Sequence, residues 1–454
     1  MLKKVHHELM TELSPPKSVD PLTVLPRELA EQILGYLTFR QLMNTCLVSK
    51  QWAQFIRRTP SLWRHLDLSH AKRKVKNAFV SRAINIGRSK LTAATLNNLF
   101  DFDKALTALV RHCALEELTL RNTGLQVHDI SMTLKALQNL RSLKICSGTI
   151  MQAMVLMNIL HNSATTLETL ECEDLSSCHT FYVLEFPATE FPSLKTLDLT
   201  WMSSWHGLNS LLNNFNTMPH LQHLKLHQLL PHVHNGPTLS PDLRELKHLT
   251  HLDLILPIRS ATDLHLPSTL VSLAIGTMQP DNTHFFDPHL STTWTLPHLR
   301  ELKLGLRGLP LESIKYALES NPNDKETSPT ALHTLSLTHA TLENHPSNPF
   351  THPRLTDLTS LSLSSCVAVN DTRMAEIAQA LPGLRFLDVS GTDVTGAGIR
   401  EVVEKGFLER LVANECRFVG FDAVDWARGR GVRVEFRRGE GVGSGSGGGR
   451  KVRF

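Results

Sequence analysis

The sequence lacks the features of a membrane or secreted protein. No apolar run approaches the ~18–20 residues that a bilayer-spanning helix needs. The N-terminal stretch has no continuous apolar core of the kind found in signal peptides. The cysteines number seven, an odd count, and include no C-x-x-C pair. We therefore expect buried free thiols in a reducing compartment, which indicates the cytosol or the nucleus.

Catalytic and cofactor-binding motifs are also missing. The chain has no G-x-S-x-G, no H-E-x-x-H, no Walker loop and no G-x-G-x-x-G that opens a helix. Cys46 falls within a helical apolar stripe, which favours a core position over a nucleophile. A formal net charge of +4 is slight for 454 residues and does not indicate a nucleic-acid partner. We expect no enzyme activity, no cofactor and no membrane partner.

Histidine is abundant, with 24 residues that are densest over 206–251. His223, His227 and His251, together with Asp253, contain the imidazole and carboxylate groups that zinc prefers. However, an H-x-x-H pair on a strand points to opposite faces, and no cysteine joins the set. The pattern favours solvent-exposed histidines, and we expect no metal site.

The stretch 25–63 is predicted to form three short helices. Leu25-Pro26 opens the first, because proline suits the first helical position. Ser49 is a suitable N-cap for the third helix, and Thr59-Pro60 ends it. Each helix carries apolar residues at helical spacing. These stripes are Leu29, Ile33, Leu34 and Leu37, then Leu42, Met43, Cys46 and Leu47, then Trp52, Phe55 and Ile56.

This stretch resembles an F-box, the module that docks substrate receptors onto the Skp adaptor of cullin-type ubiquitin ligases. The resemblance is carried by Leu25, Pro26, Glu28, Ile33, Leu34, Leu37, Leu42, Val48, Lys50, Trp52, Leu62 and Trp63. An ordinary helical cap on the end of a larger domain is the alternative. A three-helix module of this size buries too little surface to be very stable alone. Its apolar surface is therefore expected to be shared between the chain behind it and a partner.

From Trp63 onward one pattern repeats: leucine, two residues, leucine, one residue, leucine. The mean spacing is about 26 residues, within the range of leucine-rich repeats. We call the central apolar position of each copy its anchor. The anchors are 66, 94, 118, 143, 170, 197, 224, 252, 273, 302, 335, 361, 387, 411 and 434. This spacing predicts an α/β fold, a curved solenoid with parallel strands on the concave face and helices or loops outside.

The chain is expected to contain four parts. They are a disordered N-terminus at 1–20, an F-box at 21–63, about fourteen or fifteen leucine-rich repeats at 64–437 and a flexible Gly/Ser-rich basic tail at 438–454. Pro- and Asn-rich inserts at 280–294 and 321–329 are predicted to be loops. The repeat register is least defined over 229–247 and 280–297.

Two tryptophans, Trp201 and Trp205, follow one predicted strand closely. They either pack between repeats or form a hot-spot pair for a partner.

Residues that flank each anchor are expected to face the open side of the sheet, because side chains alternate along a strand. These positions are polar and alternate in sign, which suits recognition of a polypeptide. The candidate target-binding residues are Glu171, Asp198, His223, Lys225, His251, Asp253, Glu301, Lys303, Arg410 and Arg433.

The whole stretch 20–437 resembles F-box/leucine-rich-repeat proteins. The resemblance implies a non-catalytic substrate receptor of an SCF ubiquitin ligase, which binds an Skp-type adaptor and, through it, the cullin/RING core. The repeats would hold an unknown protein target. The implied adaptor-binding residues are Leu25, Pro26, Glu28, Leu29, Ile33, Leu34, Leu37, Leu42, Val48 and Trp52. Two alternatives remain: a scaffold that is not linked to degradation, and a plain repeat-type binding module.

Overall fold

The computed structural model divides the chain into two compact units, Met1–Leu167 and Glu168–Phe454, and we describe each by itself. The described residues are 20–70, 77–87, 90–98, 108–109, 112–122, 124–125, 137–146, 150–151, 159–173, 189–201, 207–228, 240–277, 282–286, 294–318, 330–341, 348–367 and 369–438.

The first unit begins with an N-terminal helical module of four short helices. They are α1 (Pro21–Val24), α2 (Arg27–Gly35), α3 (Phe39–Thr45) and α4 (Lys50–Arg58). Thr38 and Gln41 form a reciprocal capping box at the start of α3. The Ser49 hydroxyl accepts a hydrogen bond from the Trp52 amide, which confirms the predicted N-cap of α4. Pro26 was predicted to be the first helical residue of α2, but it is the N-cap, and the helix begins at Arg27.

Parallel strands follow the helical module in the first unit. A 3₁₀ turn (Pro60–Trp63) leads into β1 (His65–Asp67), and α5 (Asn77–Gly87) follows. The later strands of this unit are β2 (Ala93–Asn97), β3 (Glu117–Arg121), β4 (Gly124–Leu125), β5 (Ser142–Ile145) and β6 (Ile150–Met151). The pairing β1-β2-β3-β5 puts the anchors Leu66, Ala94, Leu118 and Leu143 in one row, while β4 and β6 form a separate small parallel pair.

Aromatic residues join the helical module to the first repeat. Trp63 is buried, and its indole N–H donates to the Ile56 carbonyl at 2.9 Å. The Phe39 ring makes edge-on contacts with Trp63 and with Phe79 of α5, at centroid distances of 6.0 and 6.1 Å. The module therefore shares a core with the repeat behind it.

The second unit is a ladder of parallel strands. They are β7 (Thr169–Cys172), β8 (Thr196–Trp201), β9 (His223–Gln228), β10 (His251–Ile255), β11 (Ser272–Gly276), β12 (Glu301–Gly305), β13 (Thr334–Leu337), β14 (Ser360–Ser362), β15 (Phe386–Asp388), β16 (Arg410–Val412) and β17 (Arg433–Glu435). The connecting helices are α6 (Gly207–Asn213), α7 (Ile314–Leu318), α8 (Asp371–Ala380), α9 (Gly396–Lys405) and α10 (Phe421–Gly429). The predicted return helices over 372–381 and 397–406 are thus confirmed as α8 and α9.

The anchors of the second unit lie side by side. Each from Leu170 to Val434 is the Cα partner of the next, and all are buried. The pairs Leu224–Leu252 and Leu273–Leu302 fix the register across the two stretches that were least defined in the sequence. The predicted repeat pattern is therefore confirmed as a parallel ladder.

The described part of the insert at 280–294, which is 282–286 and Trp294, contains no helix or strand, as predicted for a loop, but it also contributes to the core. Phe285, Phe286 and Trp294 are buried and contact one another edge-on. The Trp294 indole N–H lies 3.1 Å from the carbonyl oxygens of both Ala261 and Leu264. Burial of three large aromatic side chains therefore holds this loop against the repeats. The second insert, 321–329, lies outside the described residues.

Trp201 is buried, so it packs inside the repeat array and offers no exposed hot spot. The described cysteines are free thiols, and all of them except Cys46 are buried. Trp205, Cys178 and most of the predicted N-terminal and C-terminal segments lie outside the described residues. In the part of the chain that the structure describes, no helix is long and apolar enough to span a membrane.

Candidate functional site

Helix α2 presents two apolar stripes instead of the single predicted one. Ala30 and Leu34 face inward and are only 3% and 4% exposed. Leu29 and Ile33, one position earlier in each turn, are 47% and 52% exposed. Residues four apart share a helix face, so each pair forms its own stripe. The inner stripe holds the module together, and the outer stripe stays about half exposed among the residues that the structure describes.

Large apolar side chains on the surface are concentrated in the helical module. Ten such residues are exposed in the described part of the chain, and six of them lie between positions 24 and 48. We call these six the exposed apolar set: Val24, Leu29, Ile33, Tyr36, Leu47 and Val48. Concentrations of exposed apolar side chains are typical of surfaces that bind other proteins.

The structure distributes the predicted adaptor-binding residues between surface and core. Pro26, Glu28, Leu29, Ile33 and Val48 are exposed, and Leu25, Leu37 and Trp52 are half-buried. Leu34 and Leu42 are buried and pack the helices together, which differs from their predicted contact with a partner. The Trp52 indole N–H donates to Asp20 at 2.9 Å and so fastens α4 to the start of α1.

Sequence reasoning did not find a groove of about 830 Å³ beside the exposed apolar set. Cys46 and Leu47 supply its apolar part, and Lys50, Arg57 and Arg58 supply cations. Burial raises the pKa of the Cys46 thiol, with Arg57 acting in the opposite direction, so the thiol is not activated as a nucleophile. The α4 residues that line the groove recur at helical spacing, at positions 50, 53, 54, 57 and 58, but most of them are polar, so no apolar stripe marked them in the sequence.

In the second unit, the predicted target-binding residues lie in two rows beside the anchors, which we call the polar face. One row, immediately before the anchors, holds His223, His251, Glu301, Arg410 and Arg433. The other, immediately after them, holds Glu171, Asp198, Lys225, Asp253 and Lys303.

Contacts between neighbouring strands organise the start of the polar face. The Lys225 ammonium lies 2.9 Å from Asp198. The His223 and His251 rings stack with centroids 4.4 Å apart, and burial and then the nearby His251 lower the pKa of His223. His227 Nε2 lies 2.8 Å from Asp253 Oδ1, although the two atoms are not aligned as a hydrogen bond. Stacked rings do not converge on a common ion, and no metal-binding group of three side chains occurs among the residues that the structure describes.

Further along the polar face, arginine side chains join the carboxylates. Glu301 accepts a hydrogen bond from the Ser272 hydroxyl and lies 4.0 Å from the Lys303 ammonium. Arg410 donates two hydrogen bonds to Glu435 and lies over the Phe386 ring, 5.4 Å from its centroid. This part of the face therefore combines an ordered arginine with an aromatic surface.

Comparisons with known proteins agree with the geometry of the helical module. A family model described as F-box-like matches residues 22–69. The chain is also similar to the F-box/TPR repeat protein pof3 of Schizosaccharomyces pombe, with 23% identity over 487 residues that cover 96% of this chain and 77% of the relative.

Two solved structures are similar to this chain over more of its length than the F-box-like match. An internalin from Listeria monocytogenes has 19% identity and a TM-score of 0.44, over 72% of this chain and 82% of its own. The complex of Rad7 and Elc1 in yeast contains a chain with 16% identity and a TM-score of 0.38, over 93% of this chain and 94% of its own. Scores this low do not bear on function. Residues 22–69 therefore form an F-box-like domain, and the described chain behind it is a ladder of parallel strands with the spacing of leucine-rich repeats.

Proposed function

We propose that this protein is the substrate-recognition subunit of an SCF-type ubiquitin ligase. The observation that carries the proposal is the exposed apolar set on the F-box-like domain. Its side chains remain in water although the same helices bury Ala30, Leu34 and Leu42 against the chain. Burial of the exposed side chains against an Skp-type adaptor would recover about 25 cal/mol for each Å² removed from water.

The adaptor-contact surface that follows from this geometry is a subset of the residues predicted from the sequence. It contains Leu29, Ile33 and Val48, with Leu25 and Pro26 at the entry to α2. Lys50, Arg57 and Arg58, which line the neighbouring groove, favour an acidic partner surface. Leu34 and Leu42 contribute indirectly by holding the helices in position.

The polar face is proposed to hold the target protein. Its role is to raise the effective concentration of target lysines near the ubiquitin-conjugating enzyme that the cullin/RING core recruits. No bond is made or broken by this chain, so the protein is proposed to be a non-catalytic receptor that acts in the cytosol, the nucleus or both.

A binding assay between the full chain and a purified Skp-type adaptor tests the proposal. We expect Leu29→Ser/Ile33→Ser to weaken binding by at least about tenfold. A few large side chains buried in an interface contribute most of its binding free energy. Leu25→Ala/Pro26→Ala should act in the same direction.

Phe407→Ser is the matched control, since Phe407 is exposed in the second unit and lies outside the proposed surface. Unchanged adaptor binding by both double variants, in chains with native circular dichroism, would refute the assignment of this surface.

Adaptor binding alone does not separate a degradative receptor from a scaffold. Inhibition of the proteasome does, because the protein bound by a degradative receptor should accumulate in an adaptor-dependent manner. A bound protein whose level stays the same would indicate the scaffold.

A further inference from the structure

The end of the polar face formed by β15, β16 and β17 carries an unusual set of arginines. Arg433, Glu435 and Arg437 alternate along the last strand and its extension, so they share one side. The ladder continues beyond β17, because the Ala413 and Glu415 amides donate to the carbonyls of Glu435 and Arg437. Arg433 lies beside Arg410, and Arg437 lies beyond Glu435 on the same side.

The carboxylates on this part of the face are already engaged. Glu435 accepts two hydrogen bonds from Arg410. Asp388 accepts from the amide and the hydroxyl of Ser390, at 2.9 and 2.6 Å, and from the Ser362 hydroxyl at 3.4 Å. Glu435 is thus already paired with a cation, whereas Asp388 keeps its negative charge but forms no ion pair with an arginine among the residues that the structure describes.

Arg433 and Arg437 therefore remain as exposed cations. Both side chains are solvent-exposed, and neither forms an ion pair with any of the residues that the structure describes. Two guanidinium groups thus face the open surface.

The start of the polar face has the opposite character. Glu171, Asp198 and Asp253 lie in one row with Lys225, which is paired with Asp198, and the second lysine of this row, Lys303, lies further along the face. A polypeptide held on this face would therefore meet negative potential at one end and positive potential at the other. Such a gradient favours one orientation of the bound chain.

We propose that the β15–β17 end binds an extended segment of the target that carries anionic side chains, either carboxylate or phosphate. This inference rests on the proposed role of the polar face as the target-binding surface. The planar guanidinium group forms two parallel hydrogen bonds with either anion. Arg410 lies between Phe386 and Arg433 in the ladder and stays paired with Glu435, so the two free arginines carry the contact. Arg433 and Arg437 are four residues apart, about 13 Å along an extended strand, so matching anions lie four positions apart in the segment.

Fluorescence anisotropy on the full chain tests the proposal with three labelled peptides of equal length. They carry two glutamates, two phosphoserines or two glutamines, four positions apart. We expect both anionic peptides to bind at least about tenfold more tightly than the glutamine peptide. Tighter binding of the phosphoserine peptide would identify phosphate as the preferred group, weaker binding would identify carboxylate, and equal binding would show that the site accepts both anions. Equal binding of all three peptides, or no binding, would overturn the proposal.

Arg433→Gln/Arg437→Gln should reduce the affinity for the preferred anionic peptide by at least about tenfold. The matched control is Arg417→Gln/Arg430→Gln, which removes the same charge from the C-terminal region but away from the polar face, since Arg417 follows β16 and Arg430 ends α10 next to Trp426. An equal loss in the control would show unspecific attraction and overturn the proposal. Arg433→Lys/Arg437→Lys keeps the positive charge but loses the paired hydrogen bonds of the guanidinium group, so it should give an intermediate affinity.

Adaptor binding measured on the same preparations distinguishes a failure of the anion site from a failure of the proposed receptor role. A chain that binds the adaptor but none of the peptides would refute the anion site and leave the receptor role intact. A chain that binds anionic peptides but no adaptor would refute the receptor role and support the anion site.

Discussion

Arg354 shows how one residue can hold several repeats together. Its side chain is buried, and its guanidinium donates to the carbonyls of Leu296, Leu299, Leu318 and Thr330. Burial lowers the pKa of this guanidinium. Four carbonyl dipoles take the place of a carboxylate, so the arginine satisfies backbone acceptors from distant parts of the chain.

Replacement of Arg354 by Met should lower the free energy of unfolding by about 3 kcal/mol, because several buried carbonyls lose their donors. Urea unfolding followed by circular dichroism measures the change. Arg259→Met is the control, since Arg259 is exposed, and a shift within about 0.5 kcal/mol is expected there. A similarly small effect at Arg354 would show that water replaces the guanidinium without cost.

At the scale of elements, close packing of α8 against α9 depends on a glycine. A Cβ on Gly398 of α9 would overlap the Asp371 carboxylate and lie 3.1 Å from Met374 Cγ, both on α8. Asp371 cannot move aside freely, because it accepts hydrogen bonds from the amide and the hydroxyl of Thr395 at 2.8 and 2.5 Å. Thr395 is the N-cap of α9, so the carboxylate also joins the start of one helix to the next.

Gly398→Ala should therefore destabilise the chain by about 1–3 kcal/mol, although alanine is normally the better helix former. The measurement is urea unfolding, with Gly429→Ala as control. Gly429 ends α10, and a Cβ added there would meet no atom within 4 Å, so its replacement should be neutral or slightly stabilising. Stabilisation by Gly398→Ala would mean that the two helices separate easily.

At the scale of the whole molecule, the proposed function requires two surfaces on one chain. The exposed apolar set lies in the first unit, and the polar face described above lies in the second. Proximity raises the effective concentration of the target only when both surfaces belong to the same complex, and here a single chain carries them.

Co-expression of two separate variants tests this requirement. Leu29→Ser/Ile33→Ser should retain the target but lose the adaptor, and Arg433→Gln/Arg437→Gln should do the reverse. We expect no ubiquitination of the target in cells that contain both variants. Cells of the same kind that contain the unaltered chain should ubiquitinate the target. Restored ubiquitination would show that the two surfaces work from different chains.

The sequence by itself determined the repeat architecture, because each anchor combines local strand propensity with a burial pattern that recurs at nearly constant spacing. The same locality explains why the N-cap at Ser49 and the return helices α8 and α9 could be predicted. Each of these features depends on residues within about one turn or one strand of the chain.

Only the tertiary structure decided which of these residues face outward. Periodicity gives angles around a helix axis but does not say which stripe meets the core, so Leu29 and Leu34 could not be told apart. The contact between Arg354 and the Leu296 carbonyl joins residues 58 positions apart, and Arg410 pairs with Glu435 across 25 positions. Such contacts depend on how repeats of unequal length stack, because stacking, and not local spacing, brings distant side chains within hydrogen-bond distance.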